Sequence, residues 1–154
     1  MAWTTSGLFC ATFIDILDAT RCLMDLSLTT HKVALYDNSA TPNFTGAGDT
    51  AYTTTNEVAG TGYTAGGLIL TGLSPTVTDA GSGVLKYTHD ALSWATATIT
   101  AYGAEWYADA NTAGDGVAKA LLVGVYFDQA YTATAGTFTV TPSGTGIFTV
   151  DMTP

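Results

Sequence analysis

The sequence predicts a mainly β protein, an antiparallel β-sandwich with one N-terminal helix, and three observations carry that reading. Between Trp94 and Tyr107 the residues Ala95, Ala97, Ile99 and Ala101 share one parity while Thr96, Thr98 and Thr100 share the other. A period of two marks a half-buried strand, because successive side chains of a strand point to opposite faces. Short apolar runs recur along the chain between clusters of Gly, Pro, Asn, Asp and Ser, the residues that turns demand. Finally, 47 % of the residues are apolar and only 11 % are charged, so the chain has the material for a packed core and none of the character of a disordered tail.

Taken in order, residues 6–19 are the one stretch with helical spacing. Phe9, Phe13, Ile16 and Leu17 recur on one face and Ser6 suits the N-cap. Leu8 and Ile14 spoil a clean polar face, which predicts a helix that is buried or used as a contact. Asp15 and Asp18 near its end oppose the helix dipole. Met24, Leu26 and Leu28 alternate with Asp25, Ser27 and Thr29, and Lys32–Tyr36 follows; both read as strands.

Residues 37–67 are mostly polar and rich in Gly and Thr. A structureless loop of that length is unusual in a compact domain, so it is either a surface excursion with a task or the seat of an edge strand around Tyr52–Glu57. Leu68–Leu73 and Val84–His89 are further strands.

The centre of the fold is the stretch Trp94–Phe127. From Tyr102 onward both parities turn apolar except at Glu105, so the strand enters the interior at Gly103. Residues 120–127 carry no charge and are rich in Leu, Val and aromatics, as a central strand covered on both faces should be. Asp109–Gly116 is a run of turn formers, and the whole is a long antiparallel hairpin. Phe138–Val140 and Ile147–Val150 read as a C-terminal hairpin turning through residues 141–146, a turn that resembles Thr78–Gly83. The sum is a single β-sandwich domain over residues 1–154, with seven to nine strands.

Charge narrows the function classes. Thirteen acids against four bases give a net charge of −9, and such a surface repels phosphate backbones and anionic membranes. Nucleic acid and membrane are therefore not expected partners. No apolar run reaches the roughly 18 residues that cross a bilayer, and the start Met1–Gly7 lacks the basic n-region of a secretory signal. Cys10 and Cys22 are too few for a disulfide framework and read as buried free thiols.

Motifs of known chemistry were tested against the structural context each requires. Gly60-Thr-Gly-Tyr-Thr-Ala65 matches a dinucleotide fingerprint, with Asp79 near the right distance downstream. That chemistry needs a helix after the glycines to hold the pyrophosphate, whereas Leu68-Ile-Leu-Thr71 is a strand. Asp109-Ala-Asn-Thr-Ala-Gly114 starts like a calcium loop but has Ala113 at the fifth position and Ala120 at the twelfth, where a bidentate Glu belongs. A regular EF-hand is excluded, and an adventitious site on Glu105, Asp109, Asn111 or Asp115 stays open beside a plain solvated hairpin tip. His89-Asp90 resembles half a metal site, but His31 is the only other histidine, so both are read as strand-end residues facing solvent. Cys10 lies among Leu8, Phe9 and Phe13, where burial discourages a thiolate nucleophile. Thirteen acids offer many carboxylate pairs with nothing to single out two of them. Trp94, Tyr102, Trp106 and Tyr107 could stack on sugars, but aromatics on a packed strand belong to a core. No catalytic residue, metal ligand or cofactor emerges.

Several segments together resemble a group of small tailed-bacteriophage virion proteins of the capsid decoration or minor capsid type. They are Thr30–Tyr36 after an N-terminal helix, Glu57–Gly67, the approach Asp90–Trp94 to the long strand, and Gly136–Val140 with Gly146-Ile147 after it. They stand in the same order as in that group and span nearly the whole chain. Pro142 departs from it, at a position where relatives often carry Trp. The resemblance implies a non-enzymatic protein made in the bacterial host cytoplasm and located on the capsid surface of the virion. Its partner would be the major capsid protein, with self-association as a homo-oligomer, by analogy a trimer. An apolar patch must then dock on the shell, and the expected contact is the segment around Phe9 and Phe13 or the loop 37–67. The alternative is a tail or head-fibre component that binds host-surface glycans through exposed Trp or Tyr.

Overall fold

The structure is a computed structural model that describes residues 2–17, 30–70, 76–79, 83–112 and 116–151. Its elements are β1 (Gly7–Leu8), α1 (Cys10–Leu17), β2 (Lys32–Tyr36), β3 (Leu68–Ile69), β4 (Thr76–Asp79), β5 (Val84–Thr88), β6 (Leu92–Tyr107), β7 (Leu121–Val140) and β8 (Phe148–Asp151). The fold is mainly β, with antiparallel sheets and one N-terminal helix among the described residues. The larger sheet has the order β1-β7-β6-β2-β3 and the smaller one β4-β5-β8. They pack on a shared core in which Trp94, Ile99, Trp106 and Leu122 of the large sheet meet Tyr87 and Phe148 of the small one, the sandwich arrangement.

The hairpin β6–β7 is the centre of the molecule, and it runs further than its sequence signal. Leu92 pairs with Val140, Trp94 with Phe138 and Tyr107 with Leu121. Along β6 the first half alternates, with Ala97, Ile99 and Ala101 buried and Thr96, Thr98 and Thr100 exposed; from Gly103 to Ala108 every residue is buried. The cause of the change is a second layer on the other face of the sheet. There Trp3, Phe9, Phe44 and Tyr52 cover Ala34, Tyr36, Tyr107 and Leu121. Trp3 lies so close to β6 that a Cβ on Gly103 would sit 2.4 Å from its ring carbon Cζ3, so only glycine fits beneath the indole.

The segment 37–67 and the N-terminal residues Trp3 and Phe9 together make this second layer. The segment forms no edge strand at Tyr52–Glu57; the single bridges Tyr36↔Glu57, Ala51↔Ala120 and Thr61↔Thr98 tie it to the sheet. The helix is shorter than expected, because Gly7 and Leu8 pair with Gly124 and Val123 as a strand before it starts. Leu68–Leu73 contracts to the two-residue β3 within the described residues, and the alternating run Met24–Leu28 lies outside them.

The C-terminal hairpin is corrected. Phe138–Val140 belongs to β7 in the large sheet, whereas β8 pairs with β5 in the small one, Leu85 opposite Val150 and Tyr87 opposite Phe148. The turn through Ser143–Gly146 therefore crosses between sheets. Gly146 adopts φ +90, where a Cβ would strike the Tyr87 carbonyl at 2.5 Å, and the neighbouring Ile147 N–H donates to that same carbonyl at 2.8 Å.

Candidate functional site

The two regions expected to make contacts adjoin each other. Phe9, at the start of α1, is fully buried, with its ring centroid 4.8 Å from that of Phe44 in the 37–67 segment. Its N–H donates to Leu122 O at 3.1 Å, and the Cys10 N–H donates to Phe44 O at 3.3 Å. Phe9 is thus a core residue and offers no surface. Phe13 is half-buried, edge-on to Phe148 of β8 at 6.2 Å. The helix residues that do face outward are Ile14, 48 % exposed, and Leu17, 84 % exposed, with the Cys10 thiol beside them. Ile14 touches the 37–67 segment at Gly46, where a Cβ would stand 3.0 Å from its Cδ1. Helix spacing explains the outcome: Ala11 and Thr12 point into the protein, so Ile14 and Leu17 are left on the opposite side. Sequence reasoning chose the aromatic residues of this patch, and the aliphatic ones are those that form it.

A second cluster lies under the 37–67 segment. Glu57 accepts hydrogen bonds from the Tyr52 hydroxyl (2.6 Å), the Tyr63 hydroxyl and the Gly66 N–H (2.7 Å). The Tyr63 oxygen in turn accepts from Leu35 N–H at 2.9 Å, and Tyr107 donates to Gly66 O at 2.7 Å. One carboxylate therefore organises the glycine-rich run 60–67. Burial first, then the hydrogen bond to Glu57, pushes the Tyr52 and Tyr63 phenols well above their ordinary range.

Glu105 is 5 % exposed and, with Tyr36 and Asp49, lines a cavity of about 170 Å³. Burial, reinforced by repulsion from Asp49 and Glu57, pushes its carboxyl up to about 7 against the hydrogen bond it shares with Tyr36. Tyr36 gives its phenolic proton to Thr53 O at 2.7 Å. The arrangement can hold a proton. The cavity is smaller than the 300 Å³ or so at which ligand pockets begin, and Asp49 is tied to the Asn43 N–H at 2.7 Å.

The other candidates are dispersed. Asp109 is held by Lys32 (2.8 Å) and Lys119 (3.6 Å), away from the cavity that Glu105 lines. Asn111 is buried, and Asp115 lies outside the described residues. No group of three or more metal-ligating side chains assembles among the described residues. His31 and His89 do stand at strand ends, just before β2 and just after β5, but both are buried, which corrects the expectation that they face solvent. His89 Nε2 accepts the Trp106 indole N–H at 2.8 Å, which places its own proton on Nδ1, facing Asp90 O. Cys10 is exposed, the opposite of the buried thiol expected, and Cys22 is outside the described residues. The glycines of 60–67 lead into β3, so the helix a dinucleotide needs is not there. Trp3, Trp94 and Trp106, all three tryptophans of the chain, are buried, as is Tyr107; Tyr102 is half-buried.

No helix among the described residues is long and apolar enough to cross a membrane. Compared with known proteins, the chain matches no protein family, no curated protein and no solved structure.

Proposed function

We propose that this protein is a non-enzymatic virion structural protein of a tailed bacteriophage, bound to the outside of the capsid and stabilising it. The observation that supports this best is the aliphatic patch Ile14–Leu17 on a sandwich whose central sheet is packed on both faces. A large side chain such as Leu17 left 84 % exposed costs hydration free energy that a docking surface recovers. A net charge of −9 keeps the free protein soluble while the patch stays exposed. Repetition does the rest: weak binding at each of many equivalent lattice sites suffices when neighbouring copies also touch. Trimers at local threefold positions fit that economy by analogy.

The test is co-sedimentation of the purified chain with heads that lack it. Saturable binding at hundreds of copies per head, with raised heat resistance of the particle, is expected. The double substitution Ile14→Ser, Leu17→Ser should abolish binding while the melting temperature stays within a few degrees. A stoichiometry of only a few copies per virion would count against the reading. The glycan-binding alternative calls for exposed tryptophan or tyrosine; all three tryptophans are buried, and Tyr131 is an exposed tyrosine that could serve it.

A further inference from the structure

Among the described residues, one edge of the long strand β7 is paired only at its start. β6 holds one side of it as far as Val140, while β1 covers the other side only at Val123 and Gly124. The Tyr126 N–H is taken by the Ser6 hydroxyl at 2.8 Å. Beyond that point no strand among the described residues pairs with the outer edge. Natural sheets blunt such edges with lysine, proline, bulges or a covering element. Here the chain carries no charge from Gln129 to Val150, and Pro142 comes only after the strand has ended. The devices of that kind on the stretch are the register shifts against β6 between Tyr126 and Tyr131, Ala133 and Gly136, and Gly136 and Phe138, with a kink at Ala135, φ +50.

Along this edge runs a groove of about 600 Å³, walled on the far side by the crossing turn. Phe127, Phe138, Val140, Pro142 and Ile147 line it, and no charged side chain does. The exposed acids Asp128 and Asp90 stand at its two ends, the first just before Tyr131 and the second beside Leu92, the partner of Val140.

We propose that the edge Tyr131–Val140 receives an extended segment of another polypeptide as an added strand. That segment is uncharged and alternately apolar where it lies in the groove, and basic at its flanks. The free N–H and C=O groups of β7 supply affinity, and the apolar wall reads alternate side chains. Local charge favours a lone segment over the same edge of a second copy. A segment with basic ends meets the exposed acids Asp128 and Asp90, whereas the edge of a second copy would bring the same two acids against them. The inference does not depend on the virion reading.

The probe is a fluorescent ten-residue peptide alternating valine and threonine with lysine at both ends, compared with its glutamate-ended counterpart on the intact chain. Micromolar binding of the lysine form is expected, weaker by at least about tenfold for the glutamate form. Hydrogen exchange should slow at alternate amides of Tyr131–Val140. Thr137→Lys, an exposed position on the groove, should weaken binding about tenfold with an unchanged melting temperature. If that variant fails to fold, the exchange pattern of the unmodified chain decides. Absence of binding, protection elsewhere, or a dimer in which these amides are already protected would each overturn the proposal.

Discussion

The Trp106 indole N–H donates to His89 Nε2 at 2.8 Å inside the core, joining the C-terminal end of β6 to the residue that follows β5. Both groups are buried, so each satisfies the other where water cannot. Trp106→Phe should therefore cost more than the lost ring volume, because it leaves a buried nitrogen unpaired. A loss of about 2–4 kcal/mol in urea unfolding is expected.

The same burial holds the His89 pKa below its usual value, and the sign follows directly. Unfolded chain binds a proton that folded chain refuses, so the stability that neutral His89 contributes is fully present above its unfolded pKa and is lost as pH falls. His89→Gln should remove that acid-side loss, as read from melting temperatures between pH 7 and pH 5.

Glu105 acts in the opposite sense. Its carboxyl titrates at about 7 in the fold against 4.5 in the reference state, so the folded protein holds the extra proton. Stability falls as pH rises from the lower value through the higher one, then levels off. Glu105→Gln abolishes the titration, and its advantage over the unmodified chain should grow across that window to about 3 kcal/mol at most. A difference that does not change with pH would show that the cavity acid is ionised throughout.

Trp3 and Gly103 are predicted to couple. Gly103→Ala should destabilise by about 1–3 kcal/mol, since its Cβ would press on the indole. In a Trp3→Ala background, itself costing about 3–5 kcal/mol, most of that penalty should vanish.

Removing the three hydrogen bonds at Glu57 should loosen a segment rather than the whole fold. Glu57→Ala is expected to speed amide exchange at Gly66 and to admit protease between residues 60 and 67, with a global loss of about 2 kcal/mol.

Much of the architecture was legible because it is written in local periodicity. Ala97, Ile99 and Ala101 alternate with threonines, and Leu121–Phe127 is apolar at both parities; each pattern states how many faces of the strand are covered. What hid the rest was non-local. Gln129–Thr137 looks like a polar link, yet it continues β7 because β6 offers a full-length partner on which threonines can face solvent. Phe138 and Ile147 flank a turn, but nothing local says that the strands on either side join different sheets. Phe9, expected as a contact residue, is large and aromatic, and that is why the core takes it, while Ile14 and Leu17 stay exposed on the helix. Glu57 gave one signal, a lone acid among tyrosines, threonines and glycines, whose meaning as an anchor requires Tyr52, Tyr63 and Gly66 to converge on it.

The crossing at Ser143–Gly146 imposes an order of assembly. Val84 must wait for Asp151, and every residue of β6 and β7 lies between them along the chain. Until the long hairpin closes and delivers the turn beneath the Tyr87 carbonyl, β5 has only β4 beside it and the small sheet is a bare two-stranded ribbon, marginal in water. Refolding should therefore end on a late phase in which the smaller sheet locks, a non-local step slowed by the loop it must close.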